Sequence, residues 1–364
     1  MAKICGYYYS EDEKFSRGIF YGGFMIFRRL RFLGFMLCLG CGLSLVSCAG
    51  NVSAGSAKSR EDAVSLRVLS WNVQTFFDSV TDGGEYEEFI KSKTWGNDAY
   101  AERLSRLASS IKTLDADVVV LEELENEGVV HDISNFLAGE WSSKKVYDYA
   151  CFAKSDDCAI GCGVLSRYPL ENLTVHALDI RTDFEMPRMR PIMQVNVLKG
   201  EKTLVLFVNH WKSMSGGENV SEKWRRSQEA VLCRRMEKCA GLNVPALACG
   251  DFNRDISKFK KASSSDMILL RSDPGDDEGR VGTEVLSPWF DLNQELIGPG
   301  SYYYDGEWSR IDHFFACGPL EITDFEPATG GPWCDSESSI PEKYKIWDGK
   351  GYSDHLPLVC TVLF

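Results

Sequence analysis

Val244-Pro245-Ala246-Leu247-Ala248-Cys249-Gly250-Asp251-Phe252-Asn253 decides how the chain is to be read. An apolar run short enough for a buried strand stops at a glycine, and two polar residues able to do chemistry follow. The same pattern recurs on both sides. Leu66-Arg67-Val68-Leu69-Ser70 reads as a strand with Asn72 just past it, and Val118-Val119-Val120-Leu121 is a strand that ends in Glu122-Glu123. Leu204 to Val208 leads into Asn209-His210, Ile311 to Ala316 carries Asp312, and Asp354-His355 precede a last strand from Leu358 to Leu363. Cys162 to Ser166 and Ile192 to Val197 are further strands. Tyr100 to Leu114 places Leu104, Leu107, Ala108, Ile111 and Leu114 on one helical face, and Glu222 to Cys239 is helical. Strands in runs with few helices between them, and no Gly-rich turn, fit a layered α/β sandwich better than a Rossmann fold. The acidic, Pro/Gly-rich stretch Asp266 to Gly300 is expected to form long surface loops, and Arg225-Arg226 and Arg234-Arg235 a solvated helix face.

Carboxylates, amides and imidazoles delivered from several strand ends onto one rim suit a phosphate and a hard divalent cation. Such a cation takes oxygen ligands and keeps several waters, so one or two carboxylates suffice, and the leaving oxygen then needs a proton donor or positive charge. Neighbouring residues on a strand face opposite ways, so only one of Glu122 and Glu123 is expected to enter such a site. His131 and His176 read as surface or structural residues, as does His313, which alternates with Asp312.

Six blocks in order carry a resemblance: Trp71-Asn72, Val120-Leu121-Glu122-Glu123, Asn209-His210-Trp211-Lys212-Ser213, Gly250-Asp251-Phe252-Asn253, Arg310-Ile311-Asp312-His313 and Ser353-Asp354-His355-Leu356-Pro357. Together they resemble the endonuclease/exonuclease/phosphatase, or DNase I-like, superfamily. The resemblance implies a four-layered α/β sandwich, two packed β-sheets flanked by helices, and a metal-dependent phosphoric ester hydrolase. It implies Glu123, Asn72 and Asp354 on the metal side and Mg²⁺ as cofactor, with Mn²⁺ or Ca²⁺ as alternatives. Asp251 would orient or deprotonate the attacking water, and Asn253 would hold a phosphate oxygen. His355, polarised by Asp312, would contact the scissile phosphate. His210 would serve as acid or phosphate clamp, with Arg190 and Lys212 as substrate contacts. One departure stands out: Glu122 occupies a position where the family usually has glutamine.

The N-terminal part reads differently. Phe32 to Ser47 has no charge, follows Arg28, Arg29 and Arg31, and runs into Leu45-Val46-Ser47-Cys48. That is too short for a membrane span and has the layout of an export signal; its end resembles a bacterial lipobox with Cys48 as the lipidated residue. Residues 1–47 are therefore expected to be a signal segment with its true start at Met25. Residues 48–63 would be the lipidated cysteine and a Ser/Ala/Gly-rich tether, and 64–364 one catalytic domain. The expected location is the cell envelope, periplasmic or on the outer surface, with membrane attachment through Cys48 and no obligate protein partner. Of 40 basic and 53 acidic residues, six and three lie in residues 1–47, which leaves 34 and 50 and a formal charge of −16. Such acidity opposes tight, non-specific binding to duplex DNA but not a locally basic cleft. Nine cysteines remain; Cys151, Cys158 and Cys162 lie close enough in sequence for a local disulfide, while Cys233, Cys249 and Cys360 read as core.

The first expectation for substrate is a nucleic acid, supported by Asn209-His210-Trp211-Lys212-Ser213 and by Ser301-Tyr302-Tyr303-Tyr304, whose rings can stack on bases. A sphingomyelinase-like or inositol-phosphate-type phosphoesterase is the alternative, with Trp333 the one candidate for entering a bilayer. A non-catalytic surface lipoprotein that binds a ligand with the same fold is the second.

Overall fold

Alternation along the first long strand sets the layering. Leu66 and Val68 of β1 (Ser65–Phe76) turn to one side, and Leu69, Trp71 and Val73 to the other. β2 (Val118–Leu124) repeats this, with Val118 and Val120 on the first side and Val119 and Leu121 on the second. Both faces of these strands are therefore apolar, as a sheet covered on both sides requires. The computed structural model describes residues 3–4, 8–9, 63–140, 145–178, 186–262, 264, 266–276, 278, 281–291 and 293–364.

β1 and β2 run parallel at the middle of a seven-stranded sheet. β4 (Gly161–Ser166) and β3 (Tyr149–Ala153) extend it on one side, and β15 (Leu358–Leu363) and β14 (Glu321–Pro327) on the other. The second sheet is centred on the parallel pair β7 (Lys202–His210) and β8 (Ala246–Asp251). β6 (Ile192–Lys199) and β5 (Leu170–His176) flank β7; β13 (Asp312–Cys317), β10 (Gly282–Leu286) and β9 (Met267–Arg271) follow β8. Two-residue strands, Lys3–Ile4 and Tyr8–Tyr9, sit at one edge of each sheet, and Lys260–Lys261 at the other edge of the second. The hairpin β11–β12 (Tyr302–Tyr304, Glu307–Ser309) stands apart.

The inner faces of the two sheets share one core in which Val68, Val120, Val195, Phe207 and Cys360 are buried. α1 (Asn97–Leu114) and α2 (Glu127–Glu140) cover the outside of the first sheet through Leu107, Ile111, Val130 and Ile133. α3 (Glu218–Gly241) packs Leu232, Cys233 and Met236 against the second sheet. Helix, sheet, sheet, helix is the four-layered sandwich. Burying each large aliphatic side chain contributes about 1.5–3 kcal/mol, so this double-sided burial is the main source of stability.

Several expectations change. The Asp266 to Gly300 stretch is not all loop, because Ile268, Leu270 and Val285 of β9 and β10 and the indole of Trp289 are fully buried. Short strands interrupted by an acidic turn hid the pattern. Arg225 is not solvated: it is 1 % exposed, its guanidinium bonded to the Lys212 and Glu218 carbonyls and to Glu222. Trp333 is core, edge-on to Trp71 at 6.0 Å with its N–H on the Ala328 carbonyl. No disulfide joins Cys151, Cys158 and Cys162 to one another: Cys158 and Cys162 are free thiols, and Cys151 and Cys162 lie buried on the neighbouring strands β3 and β4. The signal segment, Cys48 and the tether lie outside the described residues, save for the short strands at 3–4 and 8–9 and for Ala63. No helix of the described residues is long and apolar enough to cross a membrane.

Candidate active site

The parallel pairs of both sheets end at the same edge of the sandwich. Asn72, at the last regular pair of β1 before its register shift, and Glu123, next to last in β2, lie there in one sheet, while His210 and Asp251 are the last residues of β7 and β8 in the other, directly paired in register. β13 starts there with Asp312 opposite Asp251, and His355 arrives three residues before β15. A cleft of about 420 Å³ opens between them, with Glu123, Arg190, His210, Asp251, Asn253, Asp354 and His355 in its walls.

Gly250 is required on this edge. Its φ is +128°, and a Cβ there would stand 1.9 Å from the Asn209 carbonyl oxygen. Only glycine lets the strand turn so tightly against β7. The turn sends the Asp251 side chain into the cleft mouth, where Oδ1 accepts from the Asn253 backbone N–H (2.7 Å) and Oδ2 from the side-chain amides of Asn253 (3.0 Å) and Asn72 (3.1 Å). The Asn253 amide donates as well to the Trp211 carbonyl at 3.2 Å, so both of its N–H groups are engaged in fixing Asp251 and the rim. Burial, with Asp312 adding to it, raises the Asp251 pKa to about 7.

His355 is the positive partner. Its Nδ1 is 2.8 Å from Asp312 Oδ2, in a pair that is almost completely buried. Burial alone would lower its pKa, but Asp312, then Asp251 and Asp354, hold it well above the ordinary histidine range. The ring is positioned by its own backbone: Trp71 donates to the His355 carbonyl at 3.0 Å, and Ser353 Oγ joins the His355 N–H to the Asn72 carbonyl. Tyr302 covers the ring at 4.8 Å. His210 is the opposite case. Buried and near Arg190 and His355, it has its pKa pushed well below 6.5 and is neutral. Its Nε2 lies 3.7 Å from both Glu123 Oε1 and Asp251 Oδ2.

The Glu122-Glu123 pair resolves by a break in the strand. By alternation Glu122 points between the sheets, where it is fully buried under Ser70 Oγ (3.2 Å). Burial, with Asp312 and Asp251 facing it, raises its pKa well above 4.5. Glu123 would point outward by the same rule, but a register shift and a φ of +68° swing it into the cleft. There Oε1 accepts from Asn72 (3.2 Å) and Oε2 from the Thr75 N–H (2.6 Å). Asp354 lines the cleft 3.3 Å from Lys343 Nζ, and Arg190 lines it while tied to the His210 carbonyl at 3.1 Å and to that of Trp211. Lys212 is not in the lining; its Nζ lies 3.4 Å from Ser213 Oγ. His313, behind the site, bonds the Arg254 carbonyl at 2.8 Å.

The donors fit a hard divalent cation. Glu123, Asp251, Asp312 and Asp354 face one protonated histidine, the amide of Asn72 bridges two of these carboxylates, and a neutral imidazole adds no competing charge. Oxygen-rich, net-negative surroundings of this kind are what Mg²⁺ or Mn²⁺ needs. Thr75, Tyr86 and Tyr302 also line the cleft. Thr75 and Tyr86 were invisible to sequence reasoning, Thr75 because it acts through a backbone N–H.

Comparison with known proteins follows the same outline. The model of the endonuclease/exonuclease/phosphatase family matches residues 69–355. No curated protein matches the chain. Among solved structures, TDP2 from Caenorhabditis elegans superposes with a TM-score of 0.54 at 13 % identity, covering 83 % of this chain and 75 % of that one. TDP2 from D. rerio, complexed with single strand DNA product, gives 0.52 at 17 % identity over 82 % and 98 % of the two chains. The human nocturnin catalytic domain, with a bound sulfate anion, gives 0.50 at 16 % identity over 83 % and 96 %.

Proposed function

Since the chain belongs to the endonuclease/exonuclease/phosphatase family and is a phosphoester hydrolase, we propose that it is a Mg²⁺-dependent phosphodiesterase that cuts nucleic acid. The observation that carries this reading is the buried Asp312–His355 pair placed beside Asp251, with Glu123 on the facing wall. In the mechanism, Asp251 is held by three amide N–H groups and takes the proton of the attacking water. Protonated His355 donates to a phosphate oxygen and stabilises the charge that builds there. His210, neutral, accepts or donates a hydrogen bond without adding charge, and Arg190 supplies a fixed cation to the phosphate. Glu123, with Asn72 and Asp354 beside it, would hold the divalent ion, which when bound would supply positive charge at the phosphate and the departing oxygen.

The nucleic-acid substrate is supported by Tyr302, which extends a flat ring from His355 toward the exposed Tyr304, and by the single strand DNA product held by the D. rerio neighbour. The formal charge of −13 favours short or single-stranded ends over long duplex. Export and attachment through Cys48 belong to the proposal on the strength of the sequence signal alone. Purified protein incubated with Mg²⁺ or chelator on single-stranded DNA, duplex DNA, RNA, sphingomyelin and inositol phosphates tests the substrate. Mg²⁺-dependent cleavage of single strands is expected. Turnover confined to sphingomyelin or inositol phosphates would reassign it, and none on any substrate would favour a binding protein.

A further inference from the structure

Arg103 is a buried cation that the mechanism does not use. It projects from α1 and is 2 % exposed, and among the described residues no carboxylate lies within ion-pair distance of it. Its guanidinium instead collects three consecutive carbonyls, Val73 (3.0 Å), Gln74 and Thr75 (3.0 Å), and stacks at 3.5 Å on Tyr344 and 4.6 Å on Phe76. Those carbonyls converge because Gln74 and Thr75 have φ of +53° and +45°, in the left-handed region. A β-branched residue is an outlier there and needs surroundings that enforce the conformation. The same turn displaces the register between β1 and β2, directly beside the break that swings Glu123 inward. It aims the Thr75 N–H at Glu123 Oε2 and the Gln74 N–H at Asn72 Oδ1.

We propose that Arg103 is the positioning residue for the cation-binding carboxylate: by gathering the Val73–Thr75 carbonyls it enforces the left-handed turn whose N–H groups orient Glu123 and Asn72. This rests on the reading that Glu123 holds a divalent ion. A lysine has one compact ammonium and cannot serve three carbonyls while stacking flat between two rings. Gln74 adds a second tie, exchanging hydrogen bonds with the Tyr344 backbone (3.1 and 2.9 Å), so the ring over Arg103 and the turn beneath it move together.

The test is Mn²⁺ binding to the purified protein, without substrate, by isothermal titration calorimetry, with circular dichroism to verify the fold of each variant. Glu123→Gln is expected to abolish the binding. Arg103→Lys is expected to weaken it by about tenfold, as loss of a supporting residue around a metal ligand does. Adding Thr75→Gly to Arg103→Lys should recover most of that loss, because glycine adopts the left-handed backbone unaided. If Arg103→Lys fails to fold, Tyr344→Leu replaces it, with about a threefold weakening expected from the lost cation–π contact. Wild-type affinity in the variant that folds, or no recovery with Thr75→Gly, overturns the role of Arg103. No Mn²⁺ binding by the wild type, or unchanged binding by Glu123→Gln, removes the metal reading instead.

Discussion

The two walls of the cleft are built by different means. On the β1–β2 wall the strands are broken: Gln74, Thr75 and Glu123 all take left-handed backbone, and a lone guanidinium holds the break from behind. On the β7–β8 wall the strands pair in register to their last residue, and support comes from polar residues on the inner face of α3. Gln228 joins the Lys212 N–H (2.8 Å) to the Arg190 carbonyl (3.4 Å), and Arg225 donates to the Lys212 carbonyl at 3.1 Å. Glu229, fully buried, binds Arg254 at 2.6 Å and Arg271 at 2.8 Å. The first wall is bent to present the carboxylate and amide of Glu123 and Asn72; the second is pinned by polar contacts and ion pairs to present Asp251, Asn253 and His210. Damage to the two should therefore separate, with cation affinity failing on one side and stability on the other.

The largest effect that would sharpen this contrast is on stability. Glu229→Gln removes the buried carboxylate that Arg254 and Arg271 share, while Arg254 keeps its pair with Glu222, and is expected to cost about 3 kcal/mol in urea unfolding. Arg103→Lys keeps its charge and should cost less. Equal losses would erase the distinction between the walls. Next comes pH dependence. Asp312 holds His355 protonated, so the alkaline limb of the rate profile should lie well above the ordinary histidine range. Asp312→Asn removes that carboxylate and leaves burial to lower the His355 pKa, so the limb should shift to lower pH, with turnover reduced about 100-fold. An unmoved limb would mean that another group sets it.

The smallest effect concerns Glu125, just past β2, whose pKa burial raises from 4.5 to about 7, the nearby Asp78, Glu85 and Asp82 adding to the rise. Its carboxyl binds a proton more tightly folded than unfolded, so its contribution to stability falls as pH rises from about 4.5 to about 7 and is constant above that. Glu125→Gln should raise Tm at about pH 7.5 and leave it nearly unchanged at about pH 4, seen by thermal unfolding at both values. A gain of equal size at both would exclude the carboxyl as the source.

The β7–β8 wall was legible in the sequence and the β1–β2 wall only half so. Apolar runs ending in His210 and Asp251, and one that begins at Asp312, announce their own geometry, because regular paired strands deliver their end residues to one edge. Glu123 could be singled out from Glu122 by family resemblance, but strand alternation has no means of showing how it enters the cleft. That depends on two adjacent bulges, and neither Gln74 nor Thr75 belongs to a residue type that signals left-handed backbone. Arg225 read as solvent-facing because a charge on a helix usually is; two of its partners are the Lys212 and Glu218 carbonyls, which the chain text does not show, and the others are Ser221 and Glu222 one turn back on its own helix. α2, β3, β5 and β14 escaped as well. In α2, β5 and β14 charged and polar residues interrupt the apolar pattern, and β3 is an apolar run of only five residues.

The most direct test of the central claim is hydrolysis of bis(p-nitrophenyl) phosphate, a diester with no base, sugar or lipid to bind. Wild-type protein should turn it over with Mg²⁺ and stop with chelator, and Asp251→Asn should lose about 100- to 10,000-fold while keeping its fold. Turnover that survives chelation, or that Asp251→Asn leaves intact, would contradict the assignment of this cleft as a metal-dependent phosphodiesterase site.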